Sequence, residues 1–182
     1  MQVQDTTSAQ ARDTASVQAQ DTTSAQAQDT TATKTISFSP DNSNPGSNSV
    51  IMAENKISGD TLEIDIKANI ISANVFGIAF HLNFNSSILV YDGYTHGSLF
   101  ENVGSPGYQI SLKSGASNEL LIGISQGPGE TGVNGSGTFI TLRFKVVAIG
   151  ASTLTYTYQE LEDPRTLPIL GITWDGGTVV VQ

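Results

Sequence analysis

From Ile36 onward the chain alternates apolar and polar residues with a period of two. In residues 75–85, Phe76, Ile78, Phe80, Leu82 and Phe84 fall on one side and Gly77, Ala79, His81 and Asn83 on the other. Successive side chains of a strand point to opposite faces, so this spacing predicts a half-buried strand with one face in the core. Residues 60–68 repeat the pattern, with Leu62, Ile64 and Ile66 inward and Glu63, Asp65 and Lys67 outward. In residues 137–147, Ile140, Leu142, Phe144 and Val146 oppose Thr141, Arg143 and Lys145. Shorter strands are predicted at 35–39, 49–53, 88–91, 108–113, 119–125, 153–158 and 178–181. Turn chemistry separates them: Asn44-Pro45-Gly46, Ser58-Gly59-Asp60, Asp92-Gly93, Pro106-Gly107, Asn134-Gly135 and Asp175-Gly176-Gly177 offer residues that tolerate positive φ. No segment of helix length has a helical period. The expected fold is all-β: an antiparallel β-sandwich of two sheets, about nine or ten strands in all, with jelly-roll or Greek-key connections.

The alternation is absent from residues 1–34, which contain no Gly, Pro, aromatic, Leu or Ile. This segment instead repeats every eight residues: QDTTSAQA from Gln4, RDTASVQA from Arg12, QDTTSAQA from Gln20 and QDTTATKT from Gln28. Ala and an occasional Val are the repeat's only apolar material, too little to offset the entropy of ordering. The expectation is a disordered low-complexity tail (1–34) carrying one folded domain (35–182), with an O-glycosylated stalk as the sharper alternative.

Charge and composition narrow the function. Seventeen acids against eight bases give a formal charge of −9, which would repel a polyanion over most of the surface and argues against nucleic-acid binding. Cysteine is absent, which removes disulfides, thiol catalysis and Cys-based zinc sites. No stretch approaches the roughly 20 apolar residues that span a bilayer. Residues 1–34 hold no apolar signal-peptide core, so an export signal is expected outside this chain.

Candidate chemistry is sparse. The histidines are His81 and His96, and no Gly-x-Ser-x-Gly elbow leads from a strand into a helix. The acid pairs Glu162/Asp163 and Asp60/Glu63 are read as solvated faces, so no catalytic residues are assigned. Loop 41–46 opens like an EF-hand, with Asp41 first and Gly46 sixth, but Pro45 and Met52 occupy ligand positions five and twelve. No metal site follows; an irregular structural calcium is the residual possibility. Gly77, Ala79, His81 and Asn83 would form a flat shelf of small and polar side chains suited to a docking partner. Exposed aromatics anchor protein interfaces and stack on sugars, which makes Tyr91, Tyr94 and Trp174 candidates for carbohydrate binding. Tyr108, Tyr156 and Tyr158 are weighed beside them; Tyr156 and Tyr158 alternate and are expected to share a face, and Trp174 is read as core cover.

The order of landmarks resembles a cohesin domain. Gly59-Asp60-Thr61-Leu62 opens an alternating strand, and Phe84-Asn85-Ser86-Ser87-Ile88-Leu89 follows a strand ending in an aromatic. Gly97-Ser98-Leu99-Phe100 comes next, then 135–146 as a small-residue turn into a long strand, and Gly177-Thr178-Val179-Val180-Val181 closes the chain. Asn85 and Ser86 depart from the family's usual Asp and Pro. The resemblance implies a nine-stranded jelly roll, exported and held at the cell surface, that grips calcium-loaded dockerin helices through a sheet face. Related sandwiches bind polysaccharide or self-associate into surface layers or filaments, and both remain alternatives.

Overall fold

The computed structural model describes residues 34–101 and 104–182; the first three octapeptide copies and most of the fourth lie outside the described residues. Eleven strands and one 3-10 turn follow in order: β1 (Ile36–Pro40), β2 (Ser49–Ser58), β3 (Thr61–Val75), β4 (Gly77–Asn83), β5 (Leu89–His96), the turn (Ser98–Phe100), β6 (Gly107–Leu112), β7 (Glu119–Ser125), β8 (Val133–Val146), β9 (Gly150–Glu162), β10 (Thr173–Asp175) and β11 (Gly177–Val181). They form a six-stranded sheet, β1-β11-β9-β4-β7-β6, and a five-stranded sheet, β10-β2-β3-β8-β5. All neighbours are antiparallel except β10, which runs parallel to β2.

The inner faces of the two sheets meet in one apolar core, as two half-buried sheets must. Leu62, Ile64 and Ile66 of β3, Ile140, Leu142 and Phe144 of β8, and Phe80 and Leu82 of β4 are wholly buried. The largest of these side chains each contribute about 1.5–3 kcal/mol by leaving water. Residues 78–84 keep the predicted inward register, but 75–85 is not one strand. The chain turns at Phe76, whose N–H donates to the Glu162 carbonyl at 2.8 Å and whose carbonyl accepts from Gln126 N–H at 2.9 Å. Val75 therefore closes β3 in one sheet and Gly77 opens β4 in the other. The short β10 had no counterpart in the pattern, because three residues are too few to display a period.

The Gly-x-Leu-Phe element acquires a physical role. A side chain at Gly97 would overlap the Thr138 carbonyl, Leu99 lies over Gly137, and Phe100 is buried with its ring 5.7 Å from that of Phe139. The turn therefore plugs the sandwich against a bulge in β8, where Ile66 faces Ile140 but Lys67 faces Thr138. Asp65 points outward, as the alternation requires, yet is only 9% exposed. It accepts hydrogen bonds from Thr141 Oγ1 at 2.6 Å, Asn55 Nδ2 at 2.9 Å and Thr138 Oγ1 at 3.4 Å. Asn55 is itself the extra residue of a bulge in β2, so this carboxylate of β3 ties together the irregularities of the two strands that flank it.

Candidate partner-docking face

Gly77, Ala79, His81 and Asn83 all lie on the outer face of β4, because Ile78, Phe80 and Leu82 are taken by the core. Pairing extends the shelf sideways. On one side Gly77, Ala79 and His81 face Ser125, Gly123 and Leu121 of β7, which in turn face Gly107, Gln109 and Ser111 of β6. On the other side they face Glu162, Glu160 and Tyr158 of β9. Small side chains along β4 and β7 leave two adjoining shallow depressions that share Ala79, Gln109 and Gly123. A Cβ at Gly123 would meet nothing within 4 Å, so the floor of this trench lies open.

Charged groups border the trench. Glu119 sits between His81 and Lys113, with His81 Nδ1 3.2 Å from Oε1 and Lys113 Nζ 2.7 Å from Oε2. The Lys113 hydrogen bond, more than the charges of Lys113 and His81, holds the Glu119 carboxyl below its usual range. Across the trench the Tyr158 ring lies 5.1 Å from that of His81, and its hydroxyl donates to Glu160 Oε2. That hydrogen bond favours the neutral phenol and raises the Tyr158 pKa. Tyr158 and Glu162 were weighed from the sequence only as an aromatic and as half of an acid pair, and the trench residues of β6 and β7 were not singled out, although 119–125 carries the same signature as β4. Leu120, Ile122 and Ile124 are buried there, with Gly123 and Ser125 on the alternate face.

The sequence profile of the cohesin domain matches residues 47–164. The chain belongs to the cohesin domain family. Solved structures agree in fold: a non-cellulosomal cohesin from the archaeon Archaeoglobus fulgidus aligns at TM-score 0.51 and 21% identity, over 65% of this chain and 78% of that one. A type II cohesin from the cellulosome of Acetivibrio cellulolyticus aligns at TM-score 0.59 and 13% identity, over 74% and 94%. The cohesin of a type I cohesin–dockerin complex from Clostridium thermocellum aligns at TM-score 0.53 and 20% identity, over 66% and 83%. No curated protein matches significantly. As a cohesin domain the chain is a non-catalytic binding module.

The aromatic candidates of this cohesin do not share one face. β9 carries an extra residue, Thr157, so that Tyr158 faces His81 while Tyr156 faces Leu82. The bulge turns the two tyrosines to opposite sides, which corrects the shared face expected from their alternation. Tyr156 packs inward, its ring 5.4 Å from Phe80 and 5.1 Å from Trp174, and burial drives its pKa far upward. Its hydroxyl is buried without a hydrogen-bond partner. Trp174 also lies 6.2 Å from Phe80, the covering role expected of it.

Tyr91 sits edge-on to Phe144 at 6.2 Å, and burial, reinforced by the neighbouring Tyr94, pushes its pKa up to about 12. Tyr94 joins His96 and Tyr108 in a stack that bridges the edge strands β5 and β6; His96 and Tyr108 lie 3.9 Å apart and almost parallel. Tyr91 and Tyr94 thus belong to the β5 edge of the five-stranded sheet and Trp174 to its opposite edge, β10. The three form no common sugar platform.

Loop 41–46 is held by its own polar groups. Asn44 N–H donates to Asn42 Oδ1, Asn69 Nδ2 to the Gly46 carbonyl, and Asn42 Nδ2 to Asp175. Among the described residues no three His, Cys, Asp or Glu side chains converge on a point that could hold a metal. The acid pairs also separate. Glu162 faces the sheet beside Gly77, whereas Asp163 turns into the following loop and accepts from the N–H groups of Arg165 and Leu167. Asp60 lies 3.5 Å from Lys34, and Glu63 pairs in register with Lys56 and Arg143.

Proposed function

We propose that this cohesin domain docks a dockerin-type protein on the outer face formed by β6, β7, β4 and β9, with Gly77, Ala79, His81 and Asn83 at its centre. The observation that carries the reading is the open, small-residue trench in which Ala79 and Gly123 lie in register. A helix can lay one side into such a floor while longer side chains at the borders fix its register. Support also comes from relatives of the same fold crystallised in cohesin–dockerin complexes, including those from Clostridium thermocellum and Acetivibrio cellulolyticus. The module would work outside the cell.

Calorimetric titration of the full chain with a panel of calcium-loaded dockerin domains tests this. At least one is expected to bind, with affinity lost when calcium is chelated. Gly123→Arg should abolish that binding without unfolding the domain, since a Cβ at this outward-facing position meets nothing within 4 Å. A panel with no binder, or binding that Gly123→Arg leaves intact, would remove the reading.

A further inference from the structure

Beyond the trench, the loop between β9 and β10 displays two large apolar side chains. Leu170 is 87% exposed and Leu167 is 51% exposed. Isolated exposed leucines are ordinary on protein surfaces, but this loop is tied down. Asp163 Oδ1 accepts from the N–H groups of Arg165 and Leu167 at 2.8 and 3.0 Å, and Oδ2 accepts from the Arg165 guanidinium at 2.6 and 2.9 Å. Ile169 N–H donates to the Leu161 carbonyl at 2.8 Å, fastening the loop to β9. A leucine held out on a fixed backbone has little loop entropy left to lose on binding.

The surface from Leu170 to the trench is continuous. Glu160 faces Ala79 on the outer sheet face and also lines, with Leu170, Ile169 and Ile172, a depression along the flank of β9. Glu160 and Glu162 take part in no ion pair among the described residues, whereas Asp163 and Glu119 do. Glu160 accepts the Tyr158 hydroxyl but, like Glu162, has no cation beside it among the described residues, and an apolar knob next to such carboxylates fits an arginine or lysine, whose stem covers the leucine while its head reaches the acids.

We propose that the docking surface wraps over the β9 edge onto Leu170, so that the partner seated in the trench places a cationic side chain between Leu170 and Glu160. The inference rests on the proposed function and deepens it: the trench supplies the seat, and this flank selects partners that carry a cation at that position.

The test is calorimetric and kinetic, on the full chain with whichever calcium-loaded dockerin of the panel binds it. Leu170→Ser is expected to weaken binding about five- to tenfold, mostly by faster dissociation. Glu160→Gln is expected to slow association at low salt, with the difference vanishing at high salt. Thermal unfolding midpoints of both variants should match the parent. If Gly123→Arg abolishes binding while both flank variants bind like the parent, the surface ends at the sheet and the flank proposal is overturned alone. If Gly123→Arg binds normally, or no dockerin binds, the seat itself is wrong and both readings fall.

Discussion

Ile70 adopts φ of 47° in the irregular stretch of β3, a left-handed conformation that crowds a β-branched side chain. The position is fixed from both sides: its N–H donates to Ser136 Oγ at 2.9 Å, and its carbonyl accepts from Asn48 N–H at 3.2 Å. The side chain is 60% exposed, so its burial offsets little of a strain of about 1–2 kcal/mol. Ile70→Gly should raise stability by about 1 kcal/mol after the entropic cost of glycine is subtracted. Urea unfolding would show it as a higher midpoint with an unchanged slope; a lower midpoint would mean that the isoleucine makes contacts worth more than the strain.

At the scale of the elements, much of the fold was legible because alternation is a local signal. The inward register of Ile78, Phe80 and Leu82 needs only the strand itself, and the outer shelf of Gly77, Ala79, His81 and Asn83 follows from it. Bulges were not legible. Thr157 suits a regular strand as well as a bulge, so nothing in residues 156–158 announces that Tyr156 and Tyr158 part company. The partners of His81 were hidden for another reason, since Glu119 and Tyr158 reach it only through pairing of β4 with β7 and β9.

That cross-strand network has a pH signature. The folded pKa of Glu119 lies below its ordinary value, so its contribution to stability is complete above the ordinary carboxylate range and is lost as pH falls through the folded value. Removing the main cause should reverse the shift: in Lys113→Met the Glu119 carboxyl should titrate closer to its ordinary value, as read by NMR of the side-chain carboxyl. An unchanged midpoint would assign the shift to His81 instead. Because the Lys113 end of the pair is half exposed, the accompanying change in stability should be small and should shrink with added salt.

At the scale of the whole molecule, the two outer faces of the sandwich present different surfaces. On the five-stranded sheet, Asp65 is enclosed by Asn55, Thr138 and Thr141, and Arg143 is tied to Asp92, with 3.1 Å between Nε and Oδ2. The outer face of β4 and β7 instead presents an open floor of small residues with charges at its borders. A net charge of −9 favours encounter with a partner that is basic where it meets Glu160 and Glu162. Hydrogen exchange on the chain, free and with the dockerin that the proposed function expects it to bind, tests this division most directly. Binding should slow exchange in 77–83, 119–125 and 158–162, and leave 61–67 and 141–145 of the five-stranded sheet as they are in the free chain. Protection confined to the five-stranded sheet, or to the Tyr94, His96 and Tyr108 edge, would contradict the account.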